Sequence, residues 1–177
     1  MPTIGVSIAV PDPFGAALQE FRVALGDESA QHIPTHITLV PPAEVPEASL
    51  PAVEAHLAEV ATSHQPFRVR LRGTGTFRPV SPVVFVGVVE GISSCEMLAA
   101  DTRQGPLAVE AEFPYHPHVT VAHHLGDDAL DRAFSELAGY EAGFEVDQFW
   151  LYVHDEHHGW RPTLAFRLGS SGPGDRV

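Results

Sequence analysis

The chain has 177 residues, enough for one domain or two small lobes sharing a core. Its 44% hydrophobic and 19% charged residues are ordinary for a globular protein, and no run approaches the roughly 18 apolar residues that a membrane helix needs. Ten arginines and no lysine stand against 23 acidic residues, a formal charge of −13 that opposes a tight grip on duplex DNA or long RNA and excludes chemistry on a lysine amine.

Residues 3–10, TIGVSIAV, are a β-rich run expected to form the first strand. No basic residue leads it, and Pro11 and Pro13 interrupt it too early for a secretory signal, so a cytoplasmic protein is expected. Residues 14–25 space Phe14, Leu18, Phe21 and Leu25 at helical intervals, with Gly26 as the stop. HITLV at 36–40 reads as a strand ended by Pro41-Pro42. Leu50, Val53, Leu57 and Val60 then predict a helix over 49–64, with Ser49 as N-cap and Pro51 in its first turn.

FRVRLRG at 67–73 alternates apolar residues with Arg68, Arg70 and Arg72 and predicts a strand with one wet face. The near-continuous apolar run at 82–89 predicts a buried strand. Residues 93–104 read as a helix, with Ser93 and Glu96 placed as a capping box. It holds the sole cysteine, Cys95, expected to be a buried, inert thiol with no disulfide partner. HVTVA at 118–122 is a strand, and 127–140 a helix closed near Gly139. Residues 144–154 and 161–168 are read as the last two strands, joined through an exposed DEHHGW hairpin. The folded unit is expected to span 1–169, with a patternless, disordered tail over 170–177. The order β-α-β-α-β-β-α-β-α-β-β argues for an α+β architecture with antiparallel sheets and a weak internal duplication.

Two segments carry the chemistry. PTHITLV at 34–40 and PHVTVAH at 117–123 both write histidine, an apolar residue, threonine and an apolar residue, just after a proline. On a strand, positions i and i+2 share a face. His36 and Thr38 therefore point together, as do His118 and Thr120, while Ile37, Leu39, Val119 and Val121 turn into the core. If the two strands face each other, two imidazoles and two hydroxyls surround one cavity. A neutral ring can take a proton from water while a protonated one supplies a leaving oxygen, and the hydroxyls can hold non-bridging phosphate oxygens. Metal-free phosphodiester cleavage needs that set of groups.

HITL and HVTV, 82 positions apart, resemble the paired motifs of the 2H phosphoesterase superfamily. Their surroundings, PTHITLVPP and YHPHVTVAH, are most similar to its 2′-5′ RNA ligase-like, or cyclic phosphodiesterase, branch. The resemblance implies a bilobal fold: two pseudo-symmetric antiparallel-sheet lobes with outer helices and a central cleft. It further implies no metal cofactor, hydrolysis of 2′,3′-cyclic phosphates of nucleotides or RNA ends, RNA joining as the reverse activity, and His36, Thr38, His118 and Thr120 as catalytic positions. RNA-acting relatives often carry arginine or lysine three residues after the second threonine. This chain has His123, which favours a small nucleotide or a short RNA terminus over long RNA.

Tyr115 and Phe77 are candidates to stack on a base, and His123 and Arg78 to meet phosphate. Arg68, Arg70 and Arg72 are either a phosphate-attracting wall or a solvated strand face, and Arg103 is a weaker candidate. His116, His118, His123 and His124, with His157 and His158 in the hairpin, lack any HExxH or cysteine pattern, so no metal is expected. The protein is expected to act as a monomer, without DNA or membrane partners. Two other readings stand beside the enzyme: a module that binds nucleotide in the same cleft without turnover, and a metal-dependent hydrolase.

Overall fold

The computed structural model describes residues 1–169 and 174–177. In chain order the elements are β1 (Thr3–Ala9), α1 (Phe14–Ala24), β2 (His36–Glu44), α2 (Leu50–Thr62), β3 (Phe67–Thr76), β4 (Val83–Glu90) and α3 (Ile92–Thr102). They continue with β5 (His118–His123), α4 (Asp127–Glu136), β6 (Glu141–Val146), β7 (Gln148–Asp155), β8 (Gly159–Arg167) and β9 (Asp175–Arg176). The strands form one antiparallel sheet in the order β6-β3-β4-β5-β2-β1-β7-β8-β9.

The sheet divides at its middle. β2 and β5 pair through one residue pair only, Ile37 with Val119, whereas the strands flanking them pair over longer stretches. One lobe holds β2, β1, β7 and β8, covered by α2 and α3; the other holds β5, β4, β3 and β6, covered by α1 and α4. α1 joins two strands of the first lobe yet packs on the second, where Phe14 meets Phe144. α3 does the reverse. The expected two-lobed α+β architecture is present, with its lobes interlaced rather than sequential.

The expected single strand over 144–154 is two strands. β6 pairs with β3 in one lobe and β7 with β1 in the other, with only Asp147 between them. Buried Phe144 and Val146 give way to buried Phe149 and Leu151, so the period-two pattern changes parity at Asp147. A two-residue step reaches about 7 Å. The sheet must therefore curl until the lobes meet a second time at Asp147, opposite the β2–β5 seam.

Four other expectations change. β2 runs past Pro41-Pro42 to Glu44, because both prolines, which cannot donate to a ladder, fall in an irregularity of its pairing with β1. α3 starts at Ile92 after Gly91 in the left-handed region (φ 90°), with no side-chain cap bond, so Ser93 and Glu96 make no capping box. Ser49 does precede α2, but without a side-chain cap bond, as the tail of a short 3₁₀ turn. Within the tail expected to be disordered, Asp175 and Arg176 pair with Ala165 and Leu164 of β8; residues 170–173 lie outside the described residues.

Apolar residues of both lobes, among them Ile37, Leu39, Val86, Val119 and Val121, lie fully buried between sheet and helices. Truncating Ile37 to alanine should cost about 2–5 kcal/mol in urea unfolding. Because Ile37 and Val119 form the seam, the double-alanine variant should show a coupling above about 0.5 kcal/mol; strict additivity would contradict that pairing.

Candidate active site

The seam sets the site's geometry. Antiparallel pairing through Ile37 and Val119 puts His36 across from Thr120 and Thr38 across from His118. Such opposed side chains start about 5 Å apart, and the diagonal His36–His118 positions about 7–8 Å apart. The four polar side chains are half-buried on one face, while Ile37, Leu39, Val119 and Val121 are buried on the other. The two motifs are thus related by a local twofold axis through the seam.

Both histidines are held alike. Nδ1 of His36 lies 2.6 Å from the Pro34 carbonyl oxygen, and Nδ1 of His118 lies 2.6 Å from that of His116. A carbonyl only accepts, so each Nδ1 carries the proton and donates it. Each Nε2 is left as the ring's working nitrogen. Burial pushes the His118 imidazole down to about 4; repulsion from His116 and His36 adds to this, against the backbone hydrogen bond. His36 is also lowered, first by burial and then by the charge of Arg22, again against its backbone bond.

His118 sits in an aromatic wall. The Phe77 ring meets it edge-on at 5.0 Å and that of Phe85 lies at 5.2 Å, with His116 at 5.6 Å. Gly75 makes room for this wall, since a Cβ there would run into the Phe85 ring. Phe77, a candidate for base stacking, thus packs against the histidine itself.

Tyr115 has a different place from the one expected. Its hydroxyl donates to the Thr38 carbonyl at 2.7 Å, and Arg103 Nε donates to the neighbouring Leu39 carbonyl at 2.6 Å while its guanidinium lies over the tyrosine ring. The β2–β5 ladder is one pair long, and these side chains serve β2 carbonyls beside it. Tyr115 and Arg103 therefore fix the strand that carries His36 and Thr38.

A hollow of about 50 Å³ adjoins the first motif, lined by Gly5, Ser7, His36, Thr38, Tyr152 and Trp160 among others. Directly paired residues share a sheet face. Ser7 pairs with Thr38 and with Trp150, Gly5 with Tyr152, and Trp160 with His154. The motif face of this lobe is consequently an aromatic row that the sequence reading missed. Its signal was the alternation in QFWLYVH, where Phe149 and Leu151 belong to the hydrophobic core cluster and Trp150, Tyr152 and His154 do not, although Tyr152 is buried.

A sequence profile described as the 2′-5′ RNA ligase superfamily matches residues 10–158. A Bacillus cytotoxicus protein that carries a phosphoesterase name is 32% identical over 141 residues, covering 77% of this chain and 80% of that one. A Bacillus pumilus protein named likewise is 32% identical over 145 residues, 79% and 82% of the two chains. The chain belongs to the 2′-5′ RNA ligase superfamily. Solved structures agree on the fold: a phosphoesterase crystal structure superposes with TM-score 0.70 at 21% identity, covering 94% of this chain and 98% of that one. TT0787 of Thermus thermophilus gives 0.69 at 21% over 97% and 100%, and E. coli LigT complexed with NADP⁺ gives 0.69 at 21% over 94% and 97%.

The remaining candidates divide in this superfamily member. His123 would fall on the core face by simple alternation, but β5 bulges at Val121, and pairing with Val83 returns His123 to the His118 face. It lies beyond Thr120, its ring tilted against that of His124 at 3.7 Å, with its proton affinity lowered by burial, His124 and Arg22. Arg78 turns to α4, bonding Asp131 at 2.9 Å and lying near Asp127, and its Nε reaches Thr76. Arg68, Arg70 and Arg72 lie exposed opposite core residues Val69 and Leu71, and Glu141 partners both Arg70 and Arg72. Cys95 is buried and its thiol is pushed up to about 12 by burial, an inert group. Among the described residues no three His, Cys, Asp or Glu side chains gather as a metal-ligand set.

In the free protein the His118 ring should titrate near 4 when followed by NMR. Phe77→Ala admits water and should raise that midpoint toward 6.5. An unmoved midpoint would show that the aromatic wall does not set it.

Proposed function

We propose that the protein hydrolyses the 2′,3′-cyclic phosphate of a nucleotide or short RNA terminus, with His36 and His118 as paired acid and base. The single observation that carries the reading is the matched pair of Nδ1–H···O=C bonds, which leaves two Nε2 atoms free on either side of one seam. One Nε2 takes a proton from water as its oxygen attacks phosphorus. The other, protonated, gives its proton to the ribose oxygen as the P–O bond breaks. Thr38 and Thr120 donate hydroxyl hydrogens to the non-bridging oxygens, where negative charge grows. The E. coli LigT structures complexed with 3′-AMP and ATP, of the same fold, support a nucleotide-sized ligand.

Neither histidine is predominantly protonated at neutral pH in the free site, since burial holds both down. An anionic phosphate between them favours the imidazolium and raises both proton affinities. The kcat/KM profile, which reports the free enzyme, should therefore be a bell on the acid side of pH 6.5, and the kcat profile should be displaced upward. The same lowered affinities favour a second reading, a nucleotide-binding module without turnover. Micromolar binding by calorimetry beside no product would select it.

His36→Ala and His118→Ala should each lower turnover of nucleoside 2′,3′-cyclic phosphates by about 10²–10⁴-fold with the fold retained. Activity should also survive chelator. Near-normal hydrolysis by both variants would overturn the paired-histidine mechanism, and loss in chelator restored by one ion would replace it with metal-dependent chemistry.

A further inference from the structure

Each imidazole is oriented by a carbonyl two residues ahead of it, so the lead-in to each motif decides where its ring stands. Both lead-ins carry a hydroxyl committed to the other lobe. Thr35, buried between Pro34 and His36, donates to the Gly15 carbonyl at 2.8 Å. Gly15 lies in the first turn of α1, the helix that covers the second lobe, and its neighbour Phe14 packs on Phe144 there. A Cβ at Gly15 would run into the Val10 carbonyl, so this turn is wedged between the lobes. Tyr115 precedes His116, whose carbonyl holds His118, and its hydroxyl reaches across to the Thr38 carbonyl of the first motif at 2.7 Å. Burial pushes the phenol above its ordinary range, so the hydroxyl keeps its proton and stays a donor. Arg103 lies over the tyrosine ring and bonds the Leu39 carbonyl, which presses Tyr115 against the same strand.

Each of these hydroxyls gives its only proton to a backbone carbonyl, so neither serves as an acid or as a donor to phosphate. The β2–β5 ladder is one residue pair long; it fixes the register at a point and leaves the angle between the motifs to other contacts. Resting on the cyclic-phosphodiesterase reading, we propose that Thr35 and Tyr115 are positioning residues, whose hydroxyls tie each motif to the opposite lobe and fix the span between the two Nε2 atoms. Both rings must reach one phosphorus in the same step, and a misplacement of about 1 Å can slow such a step about 10²-fold. Each tie is a single hydrogen bond, so its removal loosens the span without dissolving the fold.

Tyr115→Phe and Thr35→Val each delete one hydroxyl and keep the bulk of the side chain. On a nucleoside 2′,3′-cyclic phosphate each should lower kcat about tenfold, with KM within about threefold of wild type. Thr35→Ser keeps the hydroxyl and should retain kcat. Val60→Ala, in the core on α2, weakens the fold without touching either tie and should retain kcat as well. Relaxation-dispersion NMR on the imidazole Cε1–H groups reads the span without turnover. His36 and His118 should both gain microsecond-to-millisecond broadening in the two tie variants and in neither control. Broadening confined to the ring beside the deleted hydroxyl would mark a local packing role and overturn the inference, as would equal losses of kcat in Thr35→Ser or Val60→Ala. Broadening of both rings in a protein that turns over no cyclic phosphate would keep the ties and sink the hydrolase. Turnover by wild type, undiminished in both tie variants, would do the opposite.

Discussion

One backbone contact organises this molecule: the meeting of Ile37 with Val119 where two half-sheets touch. Both side chains are fully buried, so the apolar core fixes their register. A strand that slipped by one residue would turn its whole apolar set to solvent. The same constraint that keeps hydrocarbon inside therefore places His36, Thr38, His118 and Thr120 opposite one another outside. Packing and chemistry are two faces of a single alignment.

Polar side chains complete what the short seam leaves open. Tyr115 and Arg103 hold consecutive carbonyls of β2, and the carbonyls of Pro34 and His116 orient the two imidazoles. The lobes differ in what they set around these rings. His118 is enclosed by Phe77 and Phe85, whereas His36 borders an open hollow. Two motifs alike in sequence thus sit in unlike surroundings, one walled and one open.

Much of this was legible in the sequence because it rests on short-range periodicity. The alternation in HITLV and HVTVA assigns the faces of both motif strands, and helical spacing marks α1 and α2. What escaped depends on partners far along the chain. The break at Asp147 hides in an unbroken β-rich run, betrayed only by a change of parity from Phe144 and Val146 to Phe149 and Leu151. The return of His123 to the motif face needs the bulge at Val121, which exists only against β4. Sequence offers Tyr115 and Arg78 as ligand contacts because it does not reveal that a backbone carbonyl and an α4 carboxylate already engage them.

The crossing of α1 and α3 to the opposite half-sheets has a mechanical result. Neither half possesses a complete hydrophobic interior of its own, and the strand passing through Asp147 ties them a second time. Jaws so cross-laced cannot swing apart as rigid pieces without exposing core on both sides. The spacing of the two imidazoles is accordingly tied to the packing of both halves of the core.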